Sequence, residues 1–231
     1  LGSIYISDQI QEQNGDIELV GVGGSGLEDS GGVFSTAKID SAGSILIDGQ
    51  GGSGKKDIYG VALEATETDV NNGDLTARHQ IIIEGKGGTG TNIEDSNGVF
   101  LSNIEVNSGS GIYINGEAGN SSGEYSEDIY LNGVYIENAE LTVDTPNPLT
   151  DIANPYDSNI IIRGTPGGSD GTIESSTGTY IERSEIKTKG GIDIFADGSK
   201  TKSKVLKFAD GIFLDQNMIQ ASSLVLEGYG A

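Results

Sequence analysis

The chain has 231 residues, with 37 glycines, 4 prolines and no cysteine, and its 35 acidic side chains outnumber the 13 basic ones to leave a formal net charge of −22. That surface repels phosphate backbones and anionic lipid, which argues against nucleic-acid or membrane-surface partners. Without cysteine there are no disulfides or thiolate metal sites, and no apolar run approaches the ~18 residues of a membrane-spanning helix.

The chain opens on Leu1-Gly2-Ser3 without Met, as a processed chain or an excised piece would, and with no signal peptide. Gly2-Ser3-Ile4-Tyr5-Ile6, with Ile10 after it, is the first of a recurring set of elements. Next comes a pattern apolar-x-apolar-x-Gly at Ile17, Leu19 and Gly21. It returns at Ile45, Ile47 and Gly49, at Ile81, Ile83 and Gly85, and at Ile112, Ile114 and Gly116. Further copies are Ile160, Ile162 and Gly164, then Leu224, Leu226 and Gly228. Ile192 and Ile194 belong to the series, with Ala196 where glycine is expected. Successive copies are 28, 36, 31, 48, 32 and 32 residues apart. After each glycine loop a second strand begins: Gly-Val-Phe at 32–34, Gly-Val-Ala-Leu at 60–63, Gly-Val-Phe-Leu at 98–101, Gly-Val-Tyr-Ile at 133–136, Gly-Thr-Tyr-Ile at 178–181 and Gly-Ile-Phe-Leu at 211–214. A third apolar spot follows at Ile39, Ile104, Leu141, Ile186 and Ile219.

Period-two alternation without a sustained 3.6-residue period predicts strands and few helices. Units of about 30 residues are too small to bury a core alone and must stack. The expectation is therefore all-β: a right-handed parallel β-solenoid of about seven coils, one domain over residues 1–231, rising ~4.8 Å per coil to a rod of ~30–35 Å. The isoleucine and leucine pairs named above form its core ladder. Gly21, Gly49, Gly85, Gly116, Gly164 and Gly228 are expected to turn its corners, where side chains would obstruct the bend. The stretches Thr66–Gln80 and Asp144–Asn159 carry the length variation and are expected to protrude as loops.

The alternation of I-x-I-x-G-x-G-G-[ST]-G with [NS]-x-G-V-[FY]-[LI] resembles the repeats of filamentous-haemagglutinin-like bacterial surface proteins, including long exported proteins of cyanobacteria. The resemblance covers essentially the whole chain. It is clearest over 15–115 and weaker over 190–225, where Phe195-Ala196-Asp197 breaks the glycine motif. It implies a right-handed β-helix, an extracellular location at the cell surface, and a role as adhesin or structural fibre. It implies no catalytic residue.

Other features bear on partners. Phe34, Phe100, Tyr135, Tyr180 and Phe213 fall at matching positions, with Ala62 as a gap. They form either an outward column able to hold a polysaccharide or a neighbouring rod, or a structural stack. Between the inward apolar pairs stand Glu18, Leu46, Ile82, Tyr113, Ile161, Asp193 and Val225. This largely apolar outward row needs either loops folded over it or lateral association with another chain.

Calcium is the natural counterion for dense carboxylates, and the candidate ligands are Glu28, Asp29, Glu94, Asp95, Glu127 and Asp128. Solvated acidic loop tips are the plainer reading, since no EF-hand pattern or nine-residue calcium repeat is present. His79, the single histidine, reads as a loop residue, and no catalytic motif appears, so no enzymatic activity is expected. Joined as GYGA–LGSIYI, the two ends of the chain would complete one coil. That register suits head-to-tail stacking of copies, a segment of a longer array, or an arbitrary boundary.

Overall fold

A computed structural model describes residues 3–26, 30–65, 73–91, 93–122, 130–144, 159–168, 172–198, 205–208 and 210–229. The β-branched runs form three parallel seven-stranded sheets, each a wall of one solenoid. Wall A holds Ile4–Ile6, Val33–Ser35, Val61–Glu64, Val99–Ser102, Val134–Glu137, Thr179–Glu182 and Ile212–Asp215. Wall B holds Ile10–Glu12, Ile39–Ser41, Leu75–Ala77, Glu105–Ser108, Glu140–Val143, Glu185–Thr188 and Met218–Gln220. Wall C holds Ile17–Val22, Ile45–Gln50, Gln80–Lys86, Gly111–Glu117, Ile160–Thr165, Gly191–Asp197 and Ser223–Tyr229. The chain passes through A, B and C in turn seven times. Each strand pairs with its counterpart one coil on.

The register is set by period two. Ile17, Ile45, Ile81, Ile112, Ile160, Ile192 and Leu224 stand in single file. A second file, Leu19, Ile47, Ile83, Ile114, Ile162, Ile194 and Leu226, runs beside it, two residues further along each strand. Ile47, Ile83, Ile114, Ile162 and Ile194 are closed off from water altogether, as are their first-file neighbours from Ile45 to Ile192. A one-residue slip would throw every one of these side chains into solvent, so the register is strongly specified. The expected core ladder needs correcting only at its ends, where a coil lacks a neighbour on one side. Leu19 is half-buried in the first coil, and Leu224 and Leu226 are each 47% exposed in the last.

Wall B contributes a third file: Ile10, Ile39, Leu75, Val106, Leu141, Ile186 and Ile219. Two further expectations need correcting here. Val106, and not Ile104, occupies this file, and Ile104 is buried just ahead of its strand. The stretch Thr66–Gln80 is not wholly a loop, since Leu75–Ala77 is a wall B strand and Gln80 opens a wall C strand; residues 66–72 and 145–158 lie outside the described residues.

The glycines also have a different job from the one expected. Gly21, Gly49, Gly85, Gly116, Gly164 and Gly228 lie inside wall C strands and turn no corner. They mark a waist where wall C meets the start of the next wall A strand, backbone against backbone. A Cβ on Gly49 would stand 2.0 Å from the Gly60 carbonyl oxygen. On Gly85 or Gly116 it would stand equally close to the Gly98 or Gly133 oxygen. The reciprocal glycines are just as tight, with a Cβ on Gly60 only 2.2 Å from the Lys86 nitrogen. Glycine is required by space, not by a positive φ.

The waist separates the main core from a smaller one built on Ile58, Ile93, Ala118 and Leu131, all buried but outside the main cluster. Here the glycine loop forms its own three-stranded sheet from Ser53–Gly54, Thr89–Thr91 and Asn120–Ser122. Further on, Thr172–Ser175 pairs with Val205–Phe208. Ser96 Oγ, 3.1 Å from the carbonyls of both Ile58 and Gly88, satisfies backbone groups that the narrow lobe would otherwise strand.

In the last four coils the bend from wall A to wall B is made by a single left-handed residue: Asn103 (φ 57°), Asn138 (48°), Arg183 (47°) and Gln216 (53°). Asparagine tolerates this region better than most residues. At the bend into wall C, Ser41 Oγ donates to the Gly15 carbonyl one coil back, and Ser108 Oγ does the same to His79.

The waist gives a stability prediction. Gly116→Ala pushes a methyl into backbone and is expected to cost about 1–3 kcal/mol. Gly228→Ala, whose Cβ would meet nothing closer than 3.2 Å, is expected to cost distinctly less. Urea unfolding midpoints of the two variants check this, and equal losses would refute the close-approach explanation.

Candidate functional site

In wall A the alternation Val-aromatic-Leu buries the two aliphatic side chains and turns the ring outward. Successive rings then touch along the axis, stacked at Tyr5–Phe34 and Tyr180–Phe213, tilted at Phe100–Tyr135 and edge-to-face at Tyr135–Tyr180. Tyr5 and Phe34 have centroids 5.3 Å apart. Phe100 and Tyr135 are 5.3 Å apart, Tyr135 and Tyr180 4.9 Å, and Tyr180 and Phe213 4.6 Å. Ala62 does leave a gap in its own strand, yet Tyr59 places its ring on Phe100 at 5.3 Å. The sequence pattern misses Tyr59 because it precedes the strand; a bulky residue three positions before a small one was the available signal. Rings in mid-column are half-buried, and only the ends open to water, Tyr5 at 70% and Phe213 at 37%. Stacked pairs cover much of their ring faces with each other.

The next outward position along the same strands carries Glu64, Ser102, Glu137, Glu182 and Asp215. Tyr135 Oη lies 3.2 Å from both Glu137 Oε2 and Glu182 Oε1 and donates to the pair. Ser102 Oγ donates to Glu137 at 2.9 Å. The Arg183 guanidinium bonds Glu182 at 2.8 Å and reaches Glu137 at 3.5 Å, while its Nε donates to Asn138 Oδ1. Thus the column is bordered by a carboxylate row in which Glu137 and Glu182 are already bonded within the structure.

Burial, reinforced by Glu137 and Glu182, pushes the Tyr135 phenol above its ordinary value. Burial, then Asp95 and Asp57, does the same to Tyr59, whose hydroxyl donates to Asp57. Tyr180 is raised more modestly by burial and Glu182.

The other candidates fall elsewhere. On wall C the outward Leu46, Ile82 and Tyr113 are half-buried and Ile161 is 5% exposed, so this row is no open apolar face. Arg163 lies over the rings of Tyr113 and Phe195, at 5.9 and 5.3 Å. Glu94 pairs with Lys56 at 3.8 Å, both exposed, and the Asp95 backbone bridges to Tyr130. Among the described residues no group of three or more His, Asp or Glu side chains is placed to hold a metal ion. Glu28, Asp29, Glu127 and Asp128 lie outside the described residues. His79 is exposed and contributes its carbonyl to Ser108.

The class these features define is a parallel β-solenoid whose side-chain columns run along its axis. No protein-family model, no curated protein and no solved structure matches the chain. No helix among the described residues is long and apolar enough to cross a membrane.

The raised phenols give a pH prediction. Their folded pKa lies above the unfolded value near 10, so their contribution is complete below pH ~10 and is lost as pH rises further. Thermal unfolding should therefore move to lower temperature above pH ~10, with part of the near-ultraviolet phenolate absorbance appearing only on unfolding. Full ionisation of all nine tyrosines in the still-folded protein would contradict the assignment.

Proposed function

We propose that this chain is an extracellular structural rod, an element of a bacterial surface fibre or adhesive matrix, with no catalytic role. The observation that carries the reading is the set of three seven-stranded parallel ladders, each continuous from the first coil to the last. A load along the axis is shared by every hydrogen bond between adjacent coils, which suits a spacer better than a receptor. The net charge of −22 supports the same reading, since it keeps the flanks hydrated and resists lateral clumping. The repeat's resemblance to filamentous-haemagglutinin-like surface proteins is the basis for the location outside the cell. Acidic loops binding calcium remain compatible with it but are not required.

A second reading, polysaccharide binding through the aromatic column, draws on the exposed rings at its two ends. It is less favoured because the mid-column rings are half-buried against their axial neighbours and the Tyr135 and Tyr180 hydroxyls already bond Glu137 and Glu182.

Two measurements test these readings. Deleting residues 81–111 joins Gln80 to Ile112, which stands in register with Ile81. The product should melt cooperatively and be shorter by one coil, ~4.8 Å, in solution scattering. Loss of folding would count against an additive rod. Saturable binding to a glycan array, abolished by Tyr180→Ala with the fold intact, would replace the structural reading with the polysaccharide one. Recovery of the native protein from the cytosol instead of the cell surface would overturn the location.

A further inference from the structure

We propose that Tyr135 and Tyr180, with the carboxylates of Glu137 and Glu182, form a proton-coupled one-electron relay within the aromatic column. Its co-reactant is a diffusible one-electron oxidant of the peroxyl-radical class. The first observation is compositional. The chain has no tryptophan, no cysteine and a single methionine, so its nine tyrosines are the side chains most readily oxidised by one electron. The 37 glycines are the vulnerable counterpart, because a Cα hydrogen is lost most easily where no side chain crowds the resulting radical. A sink on the side chains spares that backbone.

The second observation is geometric. A phenol gives up an electron far more easily when its proton has a base to go to in the same step. Period two supplies the base, since the residue two positions on shares the ring's face of the sheet. Tyr135 Oη lies 3.2 Å from both Glu137 Oε2 and Glu182 Oε1, and Tyr180 Oη lies 3.4 Å from Glu182 Oε2. The two oxygens of Glu182 therefore serve two phenols in successive coils. Its side chain is only 13% exposed, which keeps a transferred proton beside them. The rings of Tyr135 and Tyr180 meet edge-to-face at 4.9 Å, so an electron passes between them without an intermediary. Beyond Tyr135 the column continues through Phe100 to Tyr59, each contact at 5.3 Å, and the Tyr59 hydroxyl donates to Asp57.

In the first step the oxidant takes one electron from Tyr180 and is reduced. The Oη–H bond breaks and the proton passes to Glu182, leaving a neutral phenoxyl radical beside a carboxylic acid. In the second step Tyr135 passes an electron to Tyr180 and its own proton to Glu137, while Tyr180 recovers its proton from Glu182. The radical has then moved by one coil and the acid proton from Glu182 to Glu137. Arg183, 2.8 Å from Glu182 and 3.5 Å from Glu137, spans both acceptors and holds them in place.

The test uses photogenerated tris(bipyridine)ruthenium(III) as oxidant, with the phenoxyl radical followed by transient absorbance and by electron paramagnetic resonance of rapidly frozen samples. Tyr5 and Tyr130 are the controls, 70% and 40% exposed, and their hydroxyls bond no carboxylate among the described residues. The radical signal is expected to persist in Tyr5→Phe/Tyr130→Phe and to be largely lost in Tyr135→Phe/Tyr180→Phe, which keeps the rings in contact. The reverse pattern would overturn the proposal. Glu137→Gln/Glu182→Gln keeps hydrogen-bond acceptors but removes the bases. It is expected to slow the fast phase of radical formation by roughly a hundredfold, the lower end of what a positioned proton acceptor contributes. An unchanged rate would show that the carboxylates only satisfy the hydroxyls, and would also overturn the relay. Transfer between the two rings is read from the hyperfine pattern, which differs with ring orientation. The unmodified chain should show one pattern decaying as the other grows, and Tyr135→Phe and Tyr180→Phe only one each. A single static pattern in all three would refute the second step. Circular dichroism of each variant separates a lost radical from a lost fold.

Discussion

The constraint on which the rest depends is that each coil must lie in register on the one before it, with ~4.8 Å between backbones. Identical residue types then meet across every interval, and what is good for one pair is repeated six times. For isoleucine this repetition is favourable, because branched side chains stack without rotamer conflict and exclude water. At the glycine waist the same repetition makes a steric requirement absolute. The walls touch backbone to backbone at Gly21, Gly49, Gly85, Gly116 and Gly164, so one Cβ would displace the strand above and below as well as its own. Ala196 is the one departure in this row.

Repetition is unfavourable for charge, and the surface shows how that is managed. Glu105, Glu140 and Glu185 stand in one file on wall B, and Glu137 above Glu182 in another on wall A. Lys187 bridges Glu140 and Glu185, at 3.4 and 2.7 Å, and Arg183 bridges Glu137 and Glu182. The hydrogen bond to Glu185 holds the Lys187 ammonium above the ordinary lysine range. These are exposed or half-exposed pairs, and their main effect is to relieve like-charge contact, with little net stabilisation of their own. Asp74 is the buried exception, accepting from the Glu105 backbone N–H at 2.9 Å, and burial raises its carboxyl above the usual range.

The aromatic column belongs to the same logic. Its rings contact their axial neighbours, and its hydroxyls close onto the carboxylate row beside them. A ligand-binding platform would leave ring faces free. Here the hydroxyls of Tyr135 and Tyr180 are already bonded to Glu137 and Glu182.

Much of this architecture was determined by the sequence alone. The file positions of Ile17, Ile45, Ile81, Ile112, Ile160 and Ile192 follow from period-two alternation repeated at near-constant spacing. So do those of Ile47, Ile83, Ile114, Ile162 and Ile194 beside them, and the outward setting of Phe34, Phe100, Tyr135, Tyr180 and Phe213. That information is local, so it survives without knowledge of the fold. Three things were decided only by tertiary contact. The glycines serve a meeting of two walls that are distant along the chain within each coil, and nothing in a local window distinguishes that from a corner. The corners themselves use Asn103, Asn138, Arg183 and Gln216, residues with no shared sequence signature beyond tolerance of a left-handed backbone. Leu75 was hidden because length variation displaced it from the repeat's spacing, and only the axial register brings it back into its file, while Tyr59 fills the gap at Ala62 from outside the strand.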